Sequence, residues 1–247
     1  GTQTGIMAEA MGMKVKFYDV EAKLPLGNAV SVKSIKDLVS SSDIISVHVP
    51  ETLQTKNLIS NEVIKQCKTG SILINYARGE VVDLNALAAA LKSKHITGAA
   101  IDVYPLEPEK NGDKFETPLQ GLSNVILTPH IGGSTEEAQE NIGEDVSVKL
   151  YQYLERGVSN GSHTIPDISL PPVDGAHRIL HIHRNVPGVL SAINTVMSKN
   201  KINIVGQYLK TNEEIGYVVL DVDSKLSKTA LSLLKEVKET IRVRLLY

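Results

Sequence analysis

The chain has 247 residues, 22% of them charged, a formal net charge of -2 and a single cysteine, Cys67. That length accommodates two domains of ordinary size, and the near-neutral balance argues against nucleic acid or an anionic membrane surface as a partner. One cysteine excludes an internal disulfide, no apolar run approaches the ~20 residues of a membrane helix, and no signal-peptide pattern is present, so a cytoplasmic protein is expected.

The first residues, GTQTGIMAEAMGMKVKFYD, read as a helix followed by a short strand that ends in Asp19. A dinucleotide site needs a glycine-rich turn at a helix N-terminus for the pyrophosphate, and an acid ~20 residues on, at the end of the next strand, for the ribose hydroxyls. Gly1 fits the last glycine of such a turn and Asp19 the acid. On this reading a first strand and two glycines precede the sequence given. An ordinary loop glycine and a solvated turn acid are the alternative for this pair taken alone.

Further β-rich runs follow: DIISVHVP, SILINYARG, GAAIDVYP and VILTPH, at the spacing of βαβ units. Between them, DLNALAAALKS places Leu84, Leu87, Ala88 and Leu91 on one helical face, with Asp83 as cap. Continuous apolar runs such as DIISV and SILI suit strands buried on both faces of a parallel sheet. A doubly wound parallel sheet over residues 1–133 is expected. In the strand order 3-2-1-4-5-6, the absent first strand falls between KVKFYD and SILINYA, leaving a slot of about two strand spacings of ~4.8 Å.

Ligands of open parallel sheets gather at the carboxyl ends of the strands. Asp19, His48 and Pro50, Arg78, Asp102 with Glu107, and His130 stand in turn at those ends. Removing a hydride and a proton from a hydroxy acid calls for a base near neutral pH, and a carboxylate beside a histidine orients the ring and stabilises its charged form. His130 and Glu107 form the candidate pair, and Arg78 offers a planar fork for a substrate carboxylate. Each has a bland alternative: a core histidine, a surface acid, a structural salt bridge.

GGSTEEAQENIGEDVSVKLYQYLERG predicts a long helix over 134–157, opened by the capping box of Ser134 and Glu137 and closed by Gly157. The proline-, glycine- and serine-rich stretch 158–176 reads as a linker. Residues 177–247 then alternate as βαββαβ, a ferredoxin-like plan. His177, His181 and His183 lack a cysteine or carboxylate to complete a metal set, so no metal is expected. Cys67 reads as a buried apolar residue.

NYARGEVVD, AAIDVYPLEP and LTPHIGGSTEEAQENIG resemble the successive signatures of the D-2-hydroxyacid dehydrogenases, and FYDVEAKLPLGNA resembles the subgroup that acts on 3-phosphoglycerate in serine biosynthesis. The resemblance implies a Rossmann-like NAD-binding domain over 1–133 lacking its first strand, with the helix 134–157 returning to a substrate-binding domain. It assigns Arg78 to the substrate carboxylate, Glu107 to orienting the histidine and His130 to acid/base chemistry. Gly1, Asp19, His48, Val49, Pro50, Ala77, Asp102, His130, Gly132 and Gly133 would line NAD, and the absence of an arginine after Asp19 favours NAD over NADP. Residues 177–247 resemble an ACT domain, in which His183, Asn185 and Asn203 would contact L-serine as inhibitor, within a homotetramer joined by ACT–ACT contacts. Relatives often carry a glycine pair where this chain has Gly175 and Ala176, which restricts a hinge there. A glyoxylate or hydroxypyruvate reductase, and a non-catalytic NAD(H)-sensing scaffold or corepressor, are the competing expectations.

Overall fold

The computed structural model describes residues 1–247 except Asn111, His163 and Pro172. It divides into two compact units, Gly1–Gly133 and Ser134–Tyr247.

In the first unit, helix α1 (Thr2–Ala10) leads to β1 (Lys16–Phe17), which pairs in parallel with β2 (Val30–Ser31). A second, four-stranded parallel sheet contains β3 (Ile44–Val47), β4 (Ser71–Asn75), β5 (Ile96–Ile101) and β6 (Val125–Leu127) in that order. Helices α2 (Ile35–Val39), α3 (Asn61–Gln66) and α4 (Leu84–Lys92) connect the strands. Side-chain oxygens cap all three: Ser34 for α2, Ser60 for α3, and Asp83, which accepts the N–H groups of Asn85 and Ala86 at 3.0 Å each, for α4. Alternate strand residues Ile45, Val47, Leu73, Ala99 and Ile101 pack with Val39, Ile64, Leu87, Ala88 and Leu91 of the helices into one core.

Two expectations are corrected here. β2 is absent from the sequence reading, because two exposed residues after LPLGNA carry no periodic signal. With β2 counted, β3 and not SILINYA is the strand that borders the central gap. The structure pairs β4 on both sides, with β3 and β5, and it is β3 that ends the sheet. No ladder joins β1 to β3 or β4 among the described residues. On one face of this sheet Ile44, Ile72 and Ile126 are 43%, 38% and 64% exposed.

In the second unit, helix α5 (Glu136–Arg156) is capped by the Thr135 hydroxyl, one residue later than the predicted Ser134. It ends at Gly157, whose φ of 70° suits glycine. β7 (Ala176–Arg184), α6 (Val189–Lys199), β8 (Ile204–Thr211), β9 (Ile215–Asp223), α7 (Ser227–Lys235) and β10 (Thr240–Leu246) follow. The antiparallel sheet order is β10-β7-β9-β8, the ferredoxin-like arrangement. One sheet face packs Ile179, Val218, Leu220 and Val222 against Val189, Ile193 and Met197 of α6 and Ala230 and Leu234 of α7.

The other face has a cover that composition did not reveal. Val158, Ile168 and Leu170, within the stretch read as a linker, are buried against Leu180, Tyr217, Val219 and Leu246. The stretch is extended and turning, as its prolines require, yet its few aliphatic residues alternate onto the sheet. Three side chains of the sheet also close the C-terminus of α5. Arg244 Nη2 donates to the Leu154 carbonyl at 2.7 Å, Arg178 Nη1 to Arg156 at 2.9 Å, and the Tyr217 hydroxyl to Gly157 at 2.7 Å. Two cations at a helix C-terminus also offset its macrodipole. Gly157 permits the contact, since a Cβ there would lie 2.3 Å from Leu180 Cδ2.

Candidate active site

The first unit gathers its candidate residues at the carboxyl ends of β3 to β6. β4 ends in Asn75, which is fully buried. Its Oδ1 accepts the Ala77 N–H at 3.1 Å and its Nδ2 donates to the Arg78 carbonyl at 3.0 Å, so one side chain folds the turn that carries Arg78. Arg78 is exposed, with Nη1 donating to the Ala77 carbonyl at 2.6 Å. Gly79 presses on the next loop: a Cβ there would lie 2.1 Å from the Tyr104 carbonyl carbon.

That next loop follows β5 and carries Glu107. The Tyr104 N–H donates to Glu107 Oε1 at 3.0 Å. The Tyr104 hydroxyl lies 3.0 Å from the Ile101 carbonyl and 2.9 Å from that of Thr128, tying the ends of β5 and β6 together. Burial raises the Tyr104 phenol above its usual range, which keeps it a donor.

His130 follows β6 and faces Glu107. Its Nδ1 lies 2.9 and 2.8 Å from the two carboxylate oxygens. In that contact Nδ1–H donates, leaving Nε2 to take or return a proton. The two side chains are 39% and 37% exposed. Asp102 lies behind His130, its Oδ1 accepting the His130 N–H at 3.1 Å and the Thr128 hydroxyl.

The remaining candidates cap α1 or follow β1, β3 and β6. Gly1 caps α1 without a side-chain bond, and a Cβ there would come within 3.3 Å of His48 Cβ, a close approach that glycine relieves. His48 Nε2 lies 2.9 Å from Ser46 Oγ. Val49 packs at the edge of the core, and the Pro50 carbonyl accepts the Thr55 hydroxyl at 2.7 Å. Asp19 is exposed beyond β1, with Oδ1 accepting the Glu21 N–H at 2.9 Å. Gly132 and Gly133 are exposed turn residues with nothing within 4 Å of a built Cβ.

The crowded Gly1, the helix N-terminus it caps and an acid beyond β1 with Val20 and Glu21 after it suit a dinucleotide carrying a free ribose 2′-hydroxyl. A family model for the D-isomer specific 2-hydroxyacid dehydrogenase NAD binding domain matches residues 1–132. The chain belongs to this dehydrogenase family.

A model for the AHAS small subunit-like ACT domain matches residues 179–243 of the same dehydrogenase chain. Over 249 aligned residues it is 51% identical to D-3-phosphoglycerate dehydrogenase of Escherichia coli K12, covering 100% of this chain and 60% of that protein. Identity to D-3-phosphoglycerate dehydrogenase of Dictyostelium discoideum is 47%, again over 60% of the relative. The chain therefore spans about three fifths of these relatives' length. Among solved structures, the NAD-complexed 2-hydroxyacid dehydrogenase of Lactobacillus delbrueckii ssp. bulgaricus aligns with a TM-score of 0.55 at 29% identity, covering 62% of this chain and 50% of that one. D-lactate dehydrogenase of Aquifex aeolicus, complexed with NAD and lactic acid, aligns at 0.54 and 34%, with coverage of 62% and 50%.

In the second unit, His183 is buried on β7, its ring against Gly216 of β9, where a Cβ would fall 2.2 Å from Nε2. Asn185 Nδ2 donates to the Asn212 carbonyl at 2.7 Å, and Asn203 is exposed just before β8. Sequence reasoning missed Asn75, Tyr104 and Thr128. The available signal was a polar residue closing an apolar run, as in SILIN, or seated between candidate residues, as in IDVYPLE. No helix among the described residues is long and apolar enough to cross a membrane, and no metal-holding cluster occurs among them.

Proposed function

We propose that the protein carrying this chain oxidises 3-phosphoglycerate to 3-phosphohydroxypyruvate with NAD in the cytoplasm, as the first step of L-serine biosynthesis. The observation that carries the reading is the His130 imidazole held by the Glu107 carboxylate at 2.8 Å, on a domain of the NAD-binding family. NAD, when bound, supplies the nicotinamide ring that accepts the hydride from substrate C2. Gly1, Asp19, His48, Val49, Pro50, Ala77, Asp102, Gly132 and Gly133 are the residues to hold it. Arg78 holds the substrate carboxylate through its guanidinium. His130 Nε2 takes the hydroxyl proton, and Glu107 stabilises the imidazolium that results. Base assistance of this kind contributes typically 10²- to 10⁴-fold in rate.

L-serine is proposed as the feedback effector, bound by His183, Asn185 and Asn203 in the ACT domain. The free edge of β8 supports ACT–ACT pairing in a homotetramer. Residues 134–157 form the helix that returns toward the substrate-binding domain, and 158–176 run from it into the regulatory domain at 177–247.

The test is NADH formation by the full-length protein from 3-phosphoglycerate, with and without L-serine, beside the His130→Gln variant. Serine-sensitive turnover that falls by about 10²-fold or more in the variant is expected. Preference for glyoxylate or hydroxypyruvate as the oxidant of NADH would assign a reductase, and tight NAD binding without turnover a sensing scaffold. Turnover indifferent to serine would remove the effector assignment alone.

A further inference from the structure

The backbone of His130 has φ 51°, a left-handed conformation that costs an L-residue energy and persists only where surrounding contacts impose it. Pro129 precedes it and has no N–H to contribute. The observed restraint is the bond from the His130 N–H to Asp102 Oδ1 at 3.1 Å. A carboxylate at a strand end can rotate, and the group that fixes this one is the Thr128 hydroxyl, which donates to the same Oδ1. Thr128 is itself anchored at both backbone groups. Its N–H donates to the Ile101 carbonyl at 3.0 Å, and its carbonyl accepts the Tyr104 hydroxyl at 2.9 Å.

We propose that Thr128 is a positioning residue of the active site, whose hydroxyl locks the Asp102 carboxylate and thereby the left-handed turn that aims the His130 imidazole at Glu107. The inference rests on the reading of His130 as the acid/base group. Thr128 acts through Asp102 and touches neither Glu107 nor the imidazole in the observed bonding. Because both bonds fall on Oδ1, the arrangement is compatible with Asp102 also serving the cofactor through its other oxygen. Neither backbone bond of Thr128 uses its hydroxyl, which makes the hydroxyl separable by substitution.

The test compares Thr128→Val, Thr128→Ala and Thr128→Ser in the full-length protein. Steady-state kinetics, thermal melting and NMR hydrogen exchange of the His130 amide are measured for each. Removing the hydroxyl in Thr128→Val or Thr128→Ala should lower kcat on the order of tenfold to a hundredfold, as misplacement of a catalytic group does. The His130 amide should exchange faster in both, and Thr128→Ser should restore kcat and protection. Wild-type kcat in Thr128→Val, a serine variant as slow as the valine one, or unchanged amide protection would each overturn the proposal. If the wild-type protein forms no NADH, the assigned reaction fails, and the exchange measurement still decides whether the hydroxyl holds the turn.

Discussion

Replacing Arg178 by alanine should destabilise the C-terminal unit more than any surface change. Its guanidinium is 8% exposed and the partner Asp221 1%. Nε and Nη2 donate to the two oxygens of Asp221 at 2.7 and 3.0 Å, while Nη1 and Nη2 reach the carbonyls of Arg156 and Pro171 at 2.9 and 3.0 Å. Truncation strands a carboxylate in the interior, and breaking a buried pair from one side costs about 3–5 kcal/mol. The carbonyls losing a charged donor add about 1 kcal/mol or more. The sum, about 4–6 kcal/mol, is a roughly thousandfold or greater change in the folding equilibrium. Lysine at 178 reproduces the charge but not the fork, so it should recover part of the loss. Arg178→Met with Asp221→Leu removes both charges and should be more stable than Arg178→Ala alone, by about 2 kcal/mol. The assay is urea unfolding followed by far-UV circular dichroism and tyrosine fluorescence, the latter sensing Tyr217 beside Gly157. A loss under 1 kcal/mol in Arg178→Ala, or a double variant no better than the single one, would refute the reasoning.

Gly79→Ala should be poorly tolerated, because its Cβ meets backbone at 2.1 Å with no side chain to yield; about 1–3 kcal/mol of stability should be lost in thermal melts, with reduced kcat/KM as the Glu107 loop shifts. His181 is fully buried, and desolvation drops its imidazole to about 4. The unfolded chain then binds a proton near pH 6.5 that the folded one does not, so stability is full above pH 6.5 and declines toward pH 4, by up to about 3 kcal/mol. Melting temperatures across that window should show the slope, and His181→Gln should flatten it. Burial pushes the Cys67 thiol up to about 11, so an aromatic disulfide reagent at pH 8 should label it only after denaturant is added.

Long periodic segments were legible in the sequence for a physical reason: Asp83 and the Leu84, Leu87, Ala88, Leu91 stripe both cap α4 and bury its face. Likewise the βαββαβ order of the second unit follows from runs whose alternate residues enter two cores. Strand β2 was illegible because its two residues are stabilised by a ladder with β1 and bury nothing. The role of 158–176 was hidden because composition reports what backbone a stretch adopts and not what it lies on. At the candidate site, the places of Arg78, Glu107 and His130 after strands were readable from the apolar runs that precede them. Asn75, Tyr104 and Thr128 act through bonds to carbonyls and a neighbour's carboxylate, and such bonds leave no spacing rule behind.

Rivets at one end of a rigid rod turn it into a pointer. The 21 residues of α5 span about 31 Å at 1.5 Å per residue. Held by Arg178, Tyr217 and Arg244 at its tail, the rod must follow the sheet that grips it. A rocking of that sheet by roughly 5° sweeps the opposite tip through about 3 Å, by simple trigonometry on the helix length. Bending at Gly175 is bypassed, since the grip joins the polypeptide on either side of it.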